Sequence, residues 1–382
     1  MPIRRDFWVD LLAYHSQRVK LLHSPNKQCD FDPITTFLLK RGSATILPVI
    51  STIVNLSLST GTFPIHFKQS LVTQLLKKPS HDKNTLINCP SISNLSLFSR
   101  ITECIVKSHL NEHLSSNSMY NPNQSAYTKH HSTETTFLYR IQNVFIVNQI
   151  KPLYYNMLLF TINVRRQIYF TNLYTHVTGT LCFIQSHYRN IMRTGLGWLS
   201  LHDDHLVATI SHHQVSCFCQ FELSVAFDTI DHSILLHCLS SWCGITDTAL
   251  IWFKTYLSSR SFSVIAFGFT SPYPLSCGVP QGSVLGPIPF KMYTTPLSTL
   301  ILSQSLNHQL HADNTQLFIF FAPKTFITEV GQLQDTIADI SFWMTSNVLS
   351  FNTSKTELML IGLIKEISKH SNPSLSLSSK PL

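Results

Sequence analysis

The chain has 382 residues, enough for two or three subdomains, so room for a sizeable core is not limiting. Apolar residues make up 44 % of it and charged residues only 13 %, about half of the ~25 % usual in soluble domains, which excludes an acidic or highly charged disordered protein. The formal net charge of +8 suits a polyanionic partner, although a modest excess spread along a chain also suits a plain solvated surface.

Nine cysteines, an odd number with no C-x-x-C pair, do not describe a disulfide framework or a structural zinc site. They read as buried free thiols in a reducing compartment. The opening Met1-Pro2-Ile3-Arg4-Arg5-Asp6 lacks a signal-peptide apolar core. Residues 42–67 carry no formal charge, but Pro48, Gly61 and Pro64 interrupt them, and no membrane span is expected there. An intracellular protein, cytoplasmic or nuclear and not secreted, is the expectation.

In chain order, Phe31–Leu58 reads as two helices, the first capped by Asp32 with Pro33 at its opening position, the second covering Ile46–Leu58 with Pro48 in its first turn. A short strand is predicted over Leu71–Leu76, then a polar loop from Lys77-Lys78-Pro79 to Cys89, then a helix over Ile92–Leu114. Residues 141–216 show no sustained period and few turn signals. Cys217–Leu223 alternates as a strand that puts Phe218, Gln220 and Glu222 on one face. Asp231 is an N-cap for a helix to Trp242 with a Gly244 stop, and Thr246 opens another helix through Leu257. Residues 261–268 alternate as a strand, and the loop Gly278-Val279-Pro280-Gln281-Gly282-Ser283 follows.

Two apolar runs, around Leu310 and over Leu317–Phe321, flank Asp313-Asn314 and predict a hairpin with that pair as its two-residue tip. A helix with apolar positions Val330, Leu333, Ile337, Ile340 and Met344 and a strand over Leu358–Ile361 come next; the Ser-rich tail after Lys369 reads as disordered. This order describes an α+β fold, an antiparallel sheet with helices on one face. Such a sheet can set Glu222, at a strand end, beside the tip of the hairpin. Template-directed nucleotidyl transfer needs two divalent ions about 4 Å apart, and carboxylates on neighbouring strands are a simple way to hold them. Each part alone has a structural explanation: a turn, a cap and a surface loop.

Together and in order, these segments resemble a known family. Phe221-Glu222-Leu223-Ser224-Val225-Ala226-Phe227-Asp228-Thr229-Ile230-Asp231-His232 resembles the first palm motif of reverse transcriptases from non-long-terminal-repeat retrotransposons of the LINE or jockey-like kind. Cys277-Gly278-Val279-Pro280-Gln281-Gly282-Ser283-Val284-Leu285-Gly286-Pro287 matches their second motif almost letter for letter. His311-Ala312-Asp313-Asn314-Thr315-Gln316-Leu317 is similar to their Y-A-D-D hairpin, and Phe351-Asn352-Thr353-Ser354-Lys355-Thr356-Glu357 to the segment after it. Upstream, Leu75-Leu76-Lys77-Lys78-Pro79, Asn88–Leu95 and Gln124-Ser125-Ala126-Tyr127 with His131-Ser132-Thr133 resemble the fingers.

The resemblance implies a right-hand polymerase arrangement of fingers and palm, its thumb absent or truncated. It implies an N-terminal helical linker region over 1–67, fingers over 68–140, an unmatched insertion over 141–216 with disorder as one reading of it, a palm over 217–365 and a disordered tail over 366–382. The partners it implies are an RNA template, a DNA primer and deoxynucleoside triphosphates, with Mg²⁺ or Mn²⁺ as the ion and no membrane; it leaves the oligomeric state open. Glu222, Asp313 and Asn314 stand where the family has three metal-binding aspartates. Phe227 falls at the aromatic gate that selects deoxynucleotides, and Gln281 and Gly282 in the loop over the nascent base pair. Lys355 stands where a lysine protonates departing pyrophosphate, and Lys77 and Lys78 would face triphosphate or template phosphates.

Departures fall on the chemistry. Glu222 is one methylene too long, Asn314 removes a formal charge, His311 replaces a tyrosine, and Cys89-Pro90-Ser91 stands where Tyr-Arg-Pro would supply a phosphate clamp. Pro289 is expected inside the helix after the second motif, where an interior proline costs ~3 kcal/mol. The expected molecule is a reverse-transcriptase-like protein with an impaired or inactive site. The alternatives are a non-catalytic nucleic-acid-binding remnant and a metal-dependent hydrolase on His202, Asp203, Asp204, His205, His212 and His213.

Overall fold

The computed structural model describes residues 32, 34–74, 80, 82, 91–128, 215–224, 226–266, 269–352 and 355–361. Among them, helices α1 (Thr36–Arg41) and α2 (Ser43–Thr60) precede strands β1 (Gln69–Gln74) and β2 (Ser91–Leu95) and helix α3 (Leu97–Ser116). Then come β3 (Val215–Glu222), α4 (His232–Ser241), α5 (Asp247–Leu257), β4 (Arg260–Ala266) and β5 (Phe269–Leu275). The last elements are α6 (Pro287–Ser303), β6 (Asn307–His311), β7 (Asn314–Phe321), α7 (Phe326–Ser346) and β8 (Glu357–Ile361). The chain divides into two compact units, the described residues within Met1–Gln124, Leu223–Leu300 and Ile340–Phe351 belonging to one and those within Ser125–Glu222, Ile301–Asp339 and Asn352–Leu382 to the other.

The first unit holds a mixed sheet in the order β2-β1-β4-β5. β1 runs antiparallel to β2, with Val72 opposite Ser93, and parallel to β4, with Ser70 opposite Phe262. β5 was not anticipated because Pro272 and Pro274 argue against a strand. It lies at the sheet edge, where a residue without an N–H breaks no ladder on the open side. The helix expected from Ile92 begins later. Ser91–Leu95 is a strand, and Ser96 then caps α3 by accepting the Ser99 N–H at 3.2 Å.

Asp32 does not cap α1, which has Thr35 for that purpose. Its buried carboxylate instead accepts the Leu97 N–H at 3.1 Å, serving the start of α3. α2 starts at Ser43, so Pro48 falls in its second turn and costs one helical hydrogen bond. Gly61 closes the helix at φ 66°, and Pro64 lies in the extended segment after it. By length and composition α2 is long and apolar enough to cross a membrane, unlike the interrupted segment expected. One face is nevertheless packed in the protein: Leu47, Ile50, Val54 and Leu58 are buried, each worth about 1.5–3 kcal/mol. Ser57 Oγ accepts the Trp252 indole N–H of α5 at 3.0 Å. Trp252 stacks on Tyr256 at 5.3 Å, and both meet the edge of Phe63.

Asp231 caps α4 by accepting the Ser233 and Ile234 N–H groups at 2.8 and 2.9 Å, as its position predicts. α6 opens at Pro287, which puts Pro289 in the first turn, where a missing N–H costs nothing. The expected penalty therefore falls away there and attaches to Pro296, the interior proline of that helix.

The second unit holds an antiparallel sheet in the order β6-β7-β3-β8. Val215, Cys217, Cys219 and Phe221 are buried along β3, while Gln220 and Glu222 are only partly covered, the alternation the sequence predicts. Residues 215 and 216 belong to this strand; the rest of 141–216 and the Ser-rich tail lie outside the described residues. Burial pushes the Cys217 and Cys219 thiols up to about 12, so neither is a thiolate at neutral pH. Cys277 departs from the buried-thiol expectation by being exposed.

Candidate active site

The hairpin joining β6 to β7 is built from the pairing His311 opposite Asn314, so its tip is Ala312-Asp313, one residue earlier than the sequence predicts. Ala312 takes up the reversal at φ 55°, a left-handed conformation that costs an alanine about 1 kcal/mol. Asn314 is thereby the first residue of β7, and its register partner is Glu222, the last residue of β3. Two residues back on the same face, Gln316 donates its side-chain N–H to Gln220 Oε1 at 3.1 Å. The sheet thus carries a polar row that ends at Glu222, Asn314 and the Asp313 turn.

Lys355 reaches the same place by a backbone route. Asn352 N–H donates to the Glu222 carbonyl at 2.8 Å, and a turn returns the Lys355 N–H to the Asn352 carbonyl at 3.0 Å. The ammonium of Lys355 then lies 2.5 Å from Glu222 Oε1. Glu222, Asp313, Asn314 and Lys355 therefore share one end of one sheet.

The electrostatics follow from this crowding. Burial lifts the Asp313 carboxyl above the ordinary aspartate range, and the neighbouring Glu222 carboxylate adds to the lift. Its own backbone N–H and the positive charges of Lys355 and His311 oppose it. Burial also lowers the His311 imidazole, and burial with the Asp313 charge raises the Tyr127 phenol.

The family resemblance puts two divalent ions here, and the donor set falls short of that. Among the described residues no group of three His, Cys, Asp or Glu side chains is placed to hold a metal ion. Glu222 and Asp313 supply two carboxylates, Asn314 a neutral carboxamide, and one carboxylate is already bonded to an ammonium. Magnesium needs hard, preferably anionic oxygens in strict geometry. These residues do not fit a pair of such ions.

The first unit holds a separate constellation. Gly278 N–H donates to the Ile230 carbonyl at 2.8 Å and Val279 N–H to the Phe227 carbonyl at 2.9 Å, which ties the loop to the turn after β3. Gln281 donates its side-chain N–H to Asp228 Oδ2 at 3.4 Å, and its carbonyl accepts the Ser93 N–H of β2 at 2.8 Å. Gly278 at φ 78° and Gly282 at φ 95° both need glycine. A Cβ on Gly278 would lie 2.8 Å from the Asp228 carbonyl oxygen, and one on Gly282 would press on the Ser93 carbonyl and Ile92. Close approach of the loop to other parts of the protein is therefore one demand that both glycines meet. Phe227 stacks on Phe290 with centroids 4.5 Å apart.

Three residues of this constellation, Asp228, Ser93 and Glu103, carry no site assignment from the sequence. Asp228 lies inside the quoted first motif and partners Gln281, and burial raises its carboxyl. Glu103 is fully buried in the second turn of α3 and accepts from Val284 and Leu285 N–H groups at 2.8 and 3.3 Å. The available signal was an acidic residue in line with the apolar positions Val106, Leu110 and Leu114 of the same helix. Lys77 and Lys78, and the group His202, Asp203, Asp204, His205, His212 and His213, lie outside the described residues.

The family model described as reverse transcriptase (RNA-dependent DNA polymerase) matches residues 83–378. No curated protein matches the chain.

Proposed function

Because the chain belongs to the reverse transcriptase (RNA-dependent DNA polymerase) family, we propose that it is a non-LTR (LINE or jockey-like) member whose nucleotidyl-transfer site is impaired or inactive. The fold is polymerase-like and mixed α and β, in line with that family. In this reading residues 68–140 act as fingers and 217–365 as palm, with an RNA template, a DNA primer and deoxynucleoside triphosphates as partners and Mg²⁺ or Mn²⁺ as the ion.

One observation carries the reading. At the sheet end where Glu222 faces Asn314, one carboxylate is engaged by Lys355 and the opposing residue is uncharged. Asp313 alone keeps the family's aspartate. Binding groups of this kind still orient a nucleotide, but a site that cannot neutralise charge developing on the triphosphate loses several kcal/mol of transition-state stabilisation, and each ~1.36 kcal/mol is tenfold in rate. Phe227, Gln281 and Gly282 are assigned to the incoming nucleotide, Lys77 and Lys78 to phosphates, and Lys355 to proton delivery to pyrophosphate.

The test is extension of a primed RNA template with deoxynucleotides and Mg²⁺. The native chain is expected to extend at background, and the combined Glu222→Asp, Asn314→Asp variant to extend measurably. Robust extension by the native chain that disappears in Asp313→Ala would overturn the reading.

The net charge of +8 together with the depleted acid set favours a second reading, a nucleic-acid-binding remnant without catalysis. It predicts RNA affinity that falls steeply with salt as lysines and arginines release counterions. Salt-insensitive binding would remove it.

A further inference from the structure

We propose that Glu103 is a positioning residue for nucleotide binding: its buried carboxylate locks the downstream end of the Gly278–Leu285 loop. The proposal rests on the polymerase reading, in which that loop covers the nascent base pair.

A fully buried carboxylate is costly unless its oxygens are satisfied, and four donors converge on this one. Oε2 accepts the N–H groups of Val284 and Leu285 at 2.8 and 3.3 Å. Oε1 accepts the Ser99 hydroxyl at 3.3 Å and the Tyr256 hydroxyl at 3.4 Å. Burial raises the Glu103 carboxyl and the nearby Arg260 charge opposes the lift; the guanidinium lies over the Tyr256 ring at 4.6 Å and donates to the Tyr256 carbonyl at 3.0 Å.

Val284 and Leu285 come just before α6, so no earlier turn of that helix can accept their N–H groups. The carboxyl oxygen of Glu103 takes that place. The upstream end of the loop is fixed independently, through Gly278 and Val279 to the carbonyls of Ile230 and Phe227. Between the two anchors Gln281 is half-exposed and Gly282 exposed, so the part that faces solvent is a short span held at both ends. Glu103 touches no solvent, so it reaches a nucleotide only indirectly, and the loop is the exposed segment that it holds.

The test compares the native chain with Glu103→Gln, which keeps the shape but turns an N–H₂ toward donors that need an acceptor. Amide hydrogen exchange at Val284 and Leu285 is expected to rise at least tenfold in the variant. The dissociation constant for deoxynucleotide, measured with primer–template and Mn²⁺ present, is expected to rise about tenfold while that for primer–template changes less than twofold. Unchanged exchange at both amides, or faster exchange with an unchanged nucleotide constant, overturns the proposal. Should the variant not fold, exchange in the native chain decides: protection of Val284 and Leu285 at least tenfold above Gly282 supports the lock, and equal exchange removes it. Absence of any primer–template or nucleotide binding by the native chain would sink the polymerase reading instead, and the exchange measurement would still report on the lock.

Discussion

The loop at Gly278–Leu285 and the hairpin turn at Asp313 differ in what holds their residues in place. In the loop the fold itself dictates the residue types. Gly278 has a backbone oxygen 2.8 Å from where a Cβ would sit, and the amides of Val284 and Leu285 end on a buried carboxylate. In the turn, Glu222 and Asn314 are partly exposed ends of strands whose ladder is made by backbone alone, so the fold tolerates many side chains there. In the resemblance read from the sequence, the loop keeps the motif and the turn is where this chain differs. A chain released from the demands of catalysis, yet still folding, would change where only chemistry constrains it. That contrast supports the proposed impairment better than either region alone.

The contrast is sharpened most by restoring the chemistry. Glu222→Asp with Asn314→Asp is expected to raise primer extension at least about 100-fold, equivalent to about 2.7 kcal/mol of barrier. A doubly substituted chain that remains at background would place the defect outside the turn. Next in size, Gly278→Ala should destabilise the protein by about 1–3 kcal/mol in denaturant unfolding, since strain at φ 78° and a backbone clash act together. A loss below 0.5 kcal/mol, an estimate of what an unconstrained surface site shows, would deny that the fold dictates the loop. The opposite exchange at the turn, Ala312→Gly, should stabilise by about 0.5–1 kcal/mol, because glycine removes the left-handed penalty at φ 55°.

Much of the scaffold was legible because local signals agreed with tertiary demands. Asp231 caps its helix, Cys217–Leu223 alternates, and the helix through Val330 and Met344 runs as its period predicts. Errors arose where tertiary context outweighed a local rule. Pro272 and Pro274 are accommodated by an edge position, Asp32 serves a helix far along the chain, and the tip moved by one residue because pairing of His311 with Asn314 fixed the register. At the site, the pattern put Glu222, Asp313, Asn314 and Lys355 on one list, and the structure brings these four together at one sheet end. The direct bond from Lys355 to Glu222 was not legible, since it depends on the turn from Asn352. Nor was Glu103, because an acidic residue within an apolar stripe says nothing of which donors it meets.

The smallest effect concerns that bond. Lys355 is more than half exposed, and ion pairs in such settings are worth about 0.2–1 kcal/mol. Removing the ammonium frees a Glu222 oxygen and takes a positive charge away from Asp313. Lys355→Ala is therefore expected to tighten Mn²⁺ binding about two- to fivefold, read by the paramagnetic signal of the free ion. The pH dependence gives the check on the site. Asp313 has its carboxyl raised by burial, so its proton is held more tightly in the folded chain than in the unfolded one. Its contribution to stability is then present in full below the unfolded aspartate value and falls as pH rises through the folded one. Cation binding runs the other way, because the ion needs the ionised carboxylate. Mn²⁺ affinity should climb with pH through a range above that of an ordinary aspartate, and Asp313→Asn should flatten the climb. A climb that persists in Asp313→Asn would assign the binding to other carboxylates and leave the turn without an ion of its own.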